Sequence, residues 1–142
     1  MLTNERTIVV QFGDCDPSGI TFNPNYFVWF DASVHALLRR AGFTLDQLRA
    51  DFGADGIPIG EIRTKFLAPS RYGDELRLVT SVEKLHRVAF DLRHQIFNKS
   101  VLAVEAFETR VWTVMDRQAG RIRAASLPLE IIEKFSGEKP SG

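Results

Sequence analysis

The sequence predicts an α+β domain in which an antiparallel sheet wraps one long, buried helix. Two observations carry this. Between residues 23 and 42, apolar side chains at Tyr26, Phe27, Phe30, Val34, Leu37, Leu38 and Ala41 recur with a helical period. Downstream of residue 57 the apolar period changes to two, and four or five strand patterns follow one another with only short turns between them. Sequential strands joined by short turns favour an antiparallel meander, and a helix apolar around much of its surface must be covered by that sheet.

The first strand is read at residues 7–12, which are rich in β-branched side chains. Residues 14–19 (Asp14-Cys15-Asp16-Pro17-Ser18-Gly19) are turn chemistry. The long helix is expected to start at Asn23, a favoured N-cap, with Pro24 in the first helical position, and to stop at Gly42. A short second helix is expected from Thr44, whose spacing to Gln47 is that of a capping box. The strand over residues 57–66 carries an expected bulge at Gly60. Residues 68–74 read as a turn, followed by strands through Leu76–Val82 and Val88–Ile96. Asn98-Lys99-Ser100 turns into one long strand over residues 101–115. A last short strand at 121–124 and a helical turn or two from 126 to 135 complete a single domain, residues 1–136, with residues 137–142 as a flexible tail.

Bulk properties narrow the function. The 142 residues suit one domain, and 44% hydrophobic with 25% charged residues allows a real core. Eighteen basic and eighteen acidic side chains cancel, so no global field argues for nucleic acid or an anionic membrane surface. No apolar run approaches the length of a membrane span, and the first residues lack a signal-peptide pattern. A single cysteine, Cys15, fits a cytoplasmic, reducing compartment.

The turn before the long helix is the candidate site. A helix start presents unpaired backbone N–H groups and the positive end of the helix dipole. A carboxylate beside such donors can attack, or activate water against, a carbonyl that those donors polarise. Asp14 and Asp16 place two carboxylates in three residues, and Gly19 permits close backbone approach to a ligand. The alternative is that both aspartates only shape the turn. No nucleophile elbow, phosphate loop or zinc spacing occurs. His86 and His94 lie too far apart along one strand to share a metal, His35 reads as a packed helix residue, and Cys15 as a half-buried thiol. Glu61 reads as a surface strand residue, and Arg39, Arg40, Arg117, Arg121 and Arg123 as solvated charge.

The stretch Phe12-Gly-Asp-Cys-Asp-Pro-Ser-Gly-Ile20, followed by Asn23-Pro-Asn-Tyr26 and Trp29-Phe-Asp31, resembles the 4-hydroxybenzoyl-CoA thioesterase family of hotdog-fold proteins. The resemblance continues through Phe66-Leu-Ala-Pro-Ser-Arg-Tyr-Gly-Asp-Glu-Leu76 and, more weakly, through Arg87, Phe90, Arg93 and His94. It implies a hotdog fold and hydrolysis of an acyl-CoA thioester. Asp16, not Asp14, matches the family's catalytic aspartate, as nucleophile or general base. The backbone N–H of Asn23 matches the group that polarises the thioester carbonyl. That position is a tyrosine in the family's type enzyme, a change that backbone chemistry tolerates. Gly19, Tyr26 and Arg87 are the candidate substrate-binding residues. Val88 and Ala89 stand where the type enzyme has basic and serine positions, so CoA phosphate contacts here differ or lie elsewhere. The resemblance further implies a homo-oligomer, a dimer and commonly a tetramer, with sites at the subunit boundary; no cofactor and no metal are expected. The Asp-Cys-Asp-Pro variant leans toward aromatic acyl groups, with Tyr26, Phe27 and Trp29 near the helix start. Two alternatives stay open: a short- or medium-chain aliphatic acyl-CoA thioesterase, and a hotdog protein that binds acyl-CoA or a small aromatic ligand without turnover.

Overall fold

The computed structural model describes residues 1–137. The expected tail therefore lies outside the described residues except for Gly137, which closes the last helix in a left-handed conformation. Five strands form one antiparallel sheet: β1 (Thr3–Val9), β2 (Ile59–Phe66), β3 (Glu75–Leu85), β4 (Ala89–Asn98) and β5 (Val101–Val111). The long helix α1 (Pro24–Arg40) lies on its inner face, with α2 (Leu45–Phe52) and α3 (Leu129–Ser136) at one end. Strands β6 (Thr113–Asp116) and β7 (Arg121–Ala124) form a separate two-stranded ribbon. Among the described residues no helix is long and apolar enough to cross a membrane.

The sheet order is β1-β3-β4-β5-β2. Only β3, β4 and β5 form the expected meander. β2 does not pair with β3; it crosses to the far edge and pairs with β5, while β1 pairs with β3. The connection over residues 67–74 spans three inter-strand spacings, roughly 14 Å, well within the reach of eight extended residues. What resembled a hairpin turn is thus a crossover strap, fixed at its start by Leu67 and Ala68 N–H groups that both donate to the Ala103 carbonyl. The first strand also begins earlier than its β-branched run suggests. It starts at Thr3, and Phe12–Asp14 forms a 3-10 turn instead of strand. The long final strand breaks at Trp112, whose fully buried indole fills the space under α2, so that the chain leaves the sheet and begins β6.

Other local expectations hold. Thr44 Oγ1 accepts from the Gln47 N–H and Gln47 Oε1 from the Thr44 N–H, closing the box at the start of α2. The register shifts between Ile59 and Glu61, the bulge expected at Gly60. Helix α1 buries Tyr26, Phe30, Val34, Leu37 and Leu38, and each such side chain contributes about 1.5–3 kcal/mol. Arg6 on β1 clamps the helix by donating to Ser33 Oγ at 2.7 Å and to the Trp29 carbonyl at 3.3 Å.

The core divides into two apolar clusters. One gathers Ile8, Val10, Tyr26, Phe30 and the adjoining ends of β3, β4 and β5. The other gathers the C-terminal half of α1 with α2, α3 and Trp112. Between helix and sheet runs a buried polar chain. Thr80 Oγ1 meets His94 Nδ1 at 2.8 Å, and His94 Nε2 meets Glu108 Oε1 at 2.6 Å. Arg110 Nε donates to Glu108 Oε2 at 3.1 Å, and its other nitrogens donate to the Ile57 carbonyl at 3.0 Å and to Asp31 Oδ1 at 2.9 Å. Phe30 stacks on the His94 ring, centroids 4.7 Å apart.

The candidate active site

Two β-bridges and the crossover strap shape the loop between β1 and α1. Cys15 faces Thr21 across the loop, and Ile20 faces Arg71 of the strap. Thr21 donates to the Ser70 carbonyl through both its N–H, at 2.8 Å, and its hydroxyl, at 3.1 Å. Within this frame the Asp16 N–H donates to the Ile20 carbonyl and the Gly19 N–H to the Asp16 carbonyl, each at 2.9 Å. The result is a tight turn at Asp16–Gly19 that Gly19 closes with φ +83°. An alanine there would meet only the Arg71 guanidinium at an ordinary 3.7 Å, so its penalty is backbone strain. Gly19→Ala is expected to cost about 1–2 kcal/mol in a urea unfolding series.

The two aspartates have separate jobs. Asp14 holds the loop: its carboxylate accepts from the Gln11 N–H at 2.8 Å, and its carbonyl accepts from the Phe22 N–H and from Asn25 Nδ2, each at 2.8 Å. Asp16 is partly exposed, and Ser18 contacts one of its oxygens. Both the Ser18 N–H (2.9 Å) and the Ser18 hydroxyl (2.5 Å) donate to Asp16 Oδ1. The Ser18 hydroxyl does most to hold the Asp16 carboxyl below its ordinary range; burial opposes it, and the backbone N–H groups of Ser18, Ile20 and Gly19 add to the lowering.

Asn23 stands at the start of α1, as expected, but its backbone is already helical (φ −49°, ψ −40°) and its side chain does not cap. Asn25 makes the side-chain tie instead. A helical residue at the N-cap position aims its N–H out along the helix axis. Among the described residues the Asn23 N–H has no acceptor within the chain. Asn23 lines a small cavity of about 170 Å³ together with Ile20, Tyr26, Phe66, Leu67 and Pro69. Tyr26 is almost fully buried there, edge-on to Trp29 at 5.3 Å and against Phe66 at 5.7 Å. Asn23 and Tyr26 line this cavity, and the Asp16–Gly19 turn adjoins it through Ile20, whose carbonyl accepts from the Asp16 N–H. Arg87 lies elsewhere: it follows the far end of β3, roughly 35 Å along the strand from the loop. A larger groove of about 730 Å³ lies further along α1, lined by Val28, Asp31, His35, Phe43 and Leu45, and contains neither Asp16 nor Asn23.

Ser18, the Ser70–Arg71 strap and the buried His94–Glu108–Arg110 chain were not singled out from the sequence. The spacing of Ser18 two residues after Asp16 was a usable signal for the first, since a hydroxyl there can reach back to the carboxylate. Glu61 is exposed on β2, and Cys15 is half-buried, its thiol 3.7 Å from the Gln11 carbonyl.

A family model described as the thioesterase-like superfamily matches residues 10–135. The chain belongs to that superfamily. It is 32% identical over 133 residues to the 4-hydroxybenzoyl-CoA thioesterase of Pseudomonas sp. strain CBS-3, covering 89% of this chain and 93% of that one. The three-dimensional structure of that thioesterase superposes with a TM-score of 0.88 at 29% identity, covering 94% of this chain and 99% of the other. An Asp→Asn variant of a 4-hydroxybenzoyl-CoA thioesterase, complexed with 4-hydroxybenzoyl CoA, matches with the same TM-score of 0.88 at 28% identity, covering 95% and 99%. A gentisyl-coenzyme A thioesterase matches with a TM-score of 0.78 at 30% identity, covering 94% and 99%. The protein is a hotdog-fold acyl-CoA thioesterase, a thioester hydrolase.

Proposed function

We propose that this thioesterase hydrolyses an aromatic acyl-CoA of the 4-hydroxybenzoyl type, with Asp16 as nucleophile or general base and the Asn23 backbone N–H polarising the carbonyl. The observation that carries this reading is the pairing of a poised carboxylate with an uncommitted N–H at a helix start, beside an aromatic-walled cavity. Thioesters are electrophilic at carbon and thiolates leave well, so a carboxylate suffices without a histidine partner.

Two routes use the same groups. In the first, an Asp16 oxygen attacks the carbonyl carbon, the C–S bond breaks, CoA departs as the thiolate, and water hydrolyses the mixed anhydride. In the second, Asp16 takes a proton from water as that water attacks the carbonyl, and the thiolate leaves protonated. In both, negative charge develops on the carbonyl oxygen, where a preorganised donor accelerates acyl transfer about 10²–10³-fold.

The substrate class is supported by the aromatic wall of the cavity and by the two relatives, which act on 4-hydroxybenzoyl- and gentisyl-CoA. The Asp→Asn variant of the relative, complexed with 4-hydroxybenzoyl CoA, fits an aspartate in the chemical step. Assembly as a dimer, and further as a tetramer, places the site at a subunit boundary. The open edge of β2, with exposed Ile59, Phe66 and Leu67 beside Phe27 and Val28 of α1, supports that placement. A second copy also gives Arg87 a route to the CoA nucleotide that one protomer does not provide. The compartment we propose is the cytoplasm.

The test is free-thiol release from 4-hydroxybenzoyl-, benzoyl-, phenylacetyl-, acetyl- and hexanoyl-CoA. Selective release from the aryl thioesters is the expected result. Preference for hexanoyl-CoA moves the enzyme to the aliphatic branch. Binding without release from any of the five overturns turnover altogether.

A further inference from the structure

We propose that Ser18 is a positioning residue for the reacting carboxylate: its hydroxyl and backbone N–H together fix Asp16 Oδ1, leaving Oδ2 as the oxygen that meets the substrate. This deepens the role proposed for Asp16 and rests on it.

Three features of the turn point this way. Both Ser18 donors converge on the same oxygen, at 2.9 and 2.5 Å. Oδ2 makes no hydrogen bond among the described residues, so the carboxylate is held by one end and presented by the other. Ser18 itself is exposed and packs into neither core cluster, so its hydroxyl has no packing role. A hydroxyl donor favours the ionised acid, and Asp16 is held below the usual carboxylate range accordingly.

The clamp acts alone among the nearby charges. Asp14 is turned to the Gln11 N–H on the opposite side of the loop. On the strap, the Arg71 guanidinium comes near Gly19, and the Asp74 carboxylate accepts from the Arg71 N–H and from Asn98. Cys15 points to the Gln11 carbonyl. None of these forms an ion pair or hydrogen bond with the Asp16 carboxylate among the described residues.

Fixing one oxygen does two things. It holds the carboxylate in one rotamer, so that little orientational freedom remains to be lost when substrate arrives. It also keeps Asp16 ionised at a pH where an ordinary aspartate begins to protonate.

The experiment compares wild type with Ser18→Ala and Ser18→Thr. With the best thioester, Ser18→Ala is expected to lower kcat about tenfold with KM within about twofold, because the backbone half of the clamp survives. The acid limb of its kcat/KM profile moves to higher pH. Ser18→Thr restores both. In parallel, the side-chain carboxyl of Asp16 is titrated by carbon-detected NMR in wild type and Ser18→Ala, with Asp16→Asn assigning the resonance. The Asp16 midpoint is expected to rise in Ser18→Ala and to return in Ser18→Thr. An unmoved midpoint, or pH profiles that superimpose, overturns the clamp. A midpoint that moves in a protein that releases no thiol from any thioester keeps the clamp and overturns the thioesterase role given to Asp16.

Discussion

Asp16→Asn is expected to reduce thiol release by three orders of magnitude or more while leaving the fold intact. The amide keeps the shape of the carboxylate, and its oxygen still accepts the Ser18 N–H and hydroxyl, so the turn at Asp16–Gly19 retains its bonds. What is lost is chemical. An amide neither attacks a thioester nor takes a proton from water at neutral pH. The Asn23 N–H proposed to polarise the carbonyl is untouched by the change, so the residual rate is expected to report what that donor and binding achieve alone. The measurement is kcat and kcat/KM on the preferred thioester with unfolding by urea alongside. Retained turnover in a folded variant removes Asp16 from the chemical step. The same carboxylate is expected to set the acid side of the wild type's pH profile. Its native value is depressed, so whatever stability its ionised form contributes is present above the unfolded-state value and is lost as pH falls through the native one. Activity is expected to follow the same direction, its acid limb lying lower than that of an ordinary aspartate.

The largest effect on stability is expected from Arg110→Met. The Arg110 guanidinium is almost wholly buried and faces Glu108, whose carboxylate is fully covered and also contacts His94. Methionine fills much of the volume but supplies no donor. Glu108 then keeps only His94, the Ile57 carbonyl loses its partner, and a charge remains in the core with incomplete compensation. Removing one member of a buried pair costs about 3–5 kcal/mol. The Asp31 end contributes little to this total, because Asp31 is half-exposed and water screens it. A urea series on Arg110→Met beside Glu108→Gln separates the parts. Glutamine removes the charge but keeps an acceptor for Arg110, so its loss should be the smaller. A change under about 1 kcal/mol for Arg110→Met would mean that the chain contributes no net stability, as buried ion networks sometimes do.

The two results differ in how far they were legible beforehand. Asp16 stood out because turn-forming residues, a carboxylate and a helix start occur within ten residues, and their chemistry is local. The helix α1, the box at Thr44 and the bulge at Gly60 were legible for the same reason: each is decided by neighbours in sequence. Arg110 and Glu108 were legible only in part. Their parity on β5 is that of Val104 and Ala106, which face the core, so alternation alone flags two charges pointing inward. Their partners, His94 and Asp31, lie 14 and 79 residues away, and only the fold shows that the charges meet. Strand order failed for a related reason. Pro69, Gly73 and the polar residues between them are equally good at making a hairpin or a crossover, and the choice is made by where β2 finds a neighbour. The break at Trp112 is a packing decision, invisible to a pattern that runs unbroken through it.

The strap over residues 67–74 has one more implication. Short, glycine- and proline-bearing connections are where chains usually accept inserted segments, new termini and protease cuts. This one is a poor place for any of them. Its Ser70 carbonyl takes both donors of Thr21, and its Arg71 backbone borders Ile20, so the loop that presents Asp16 is moored to residues fifty positions further along the chain. A peptide tag or a circular-permutation nick at Ser70 would leave the sheet and helix standing and set the loop adrift. Engineers seeking a permissive site should instead use the ribbon turn between Asp116 and Arg121, which touches neither the strap nor the loop.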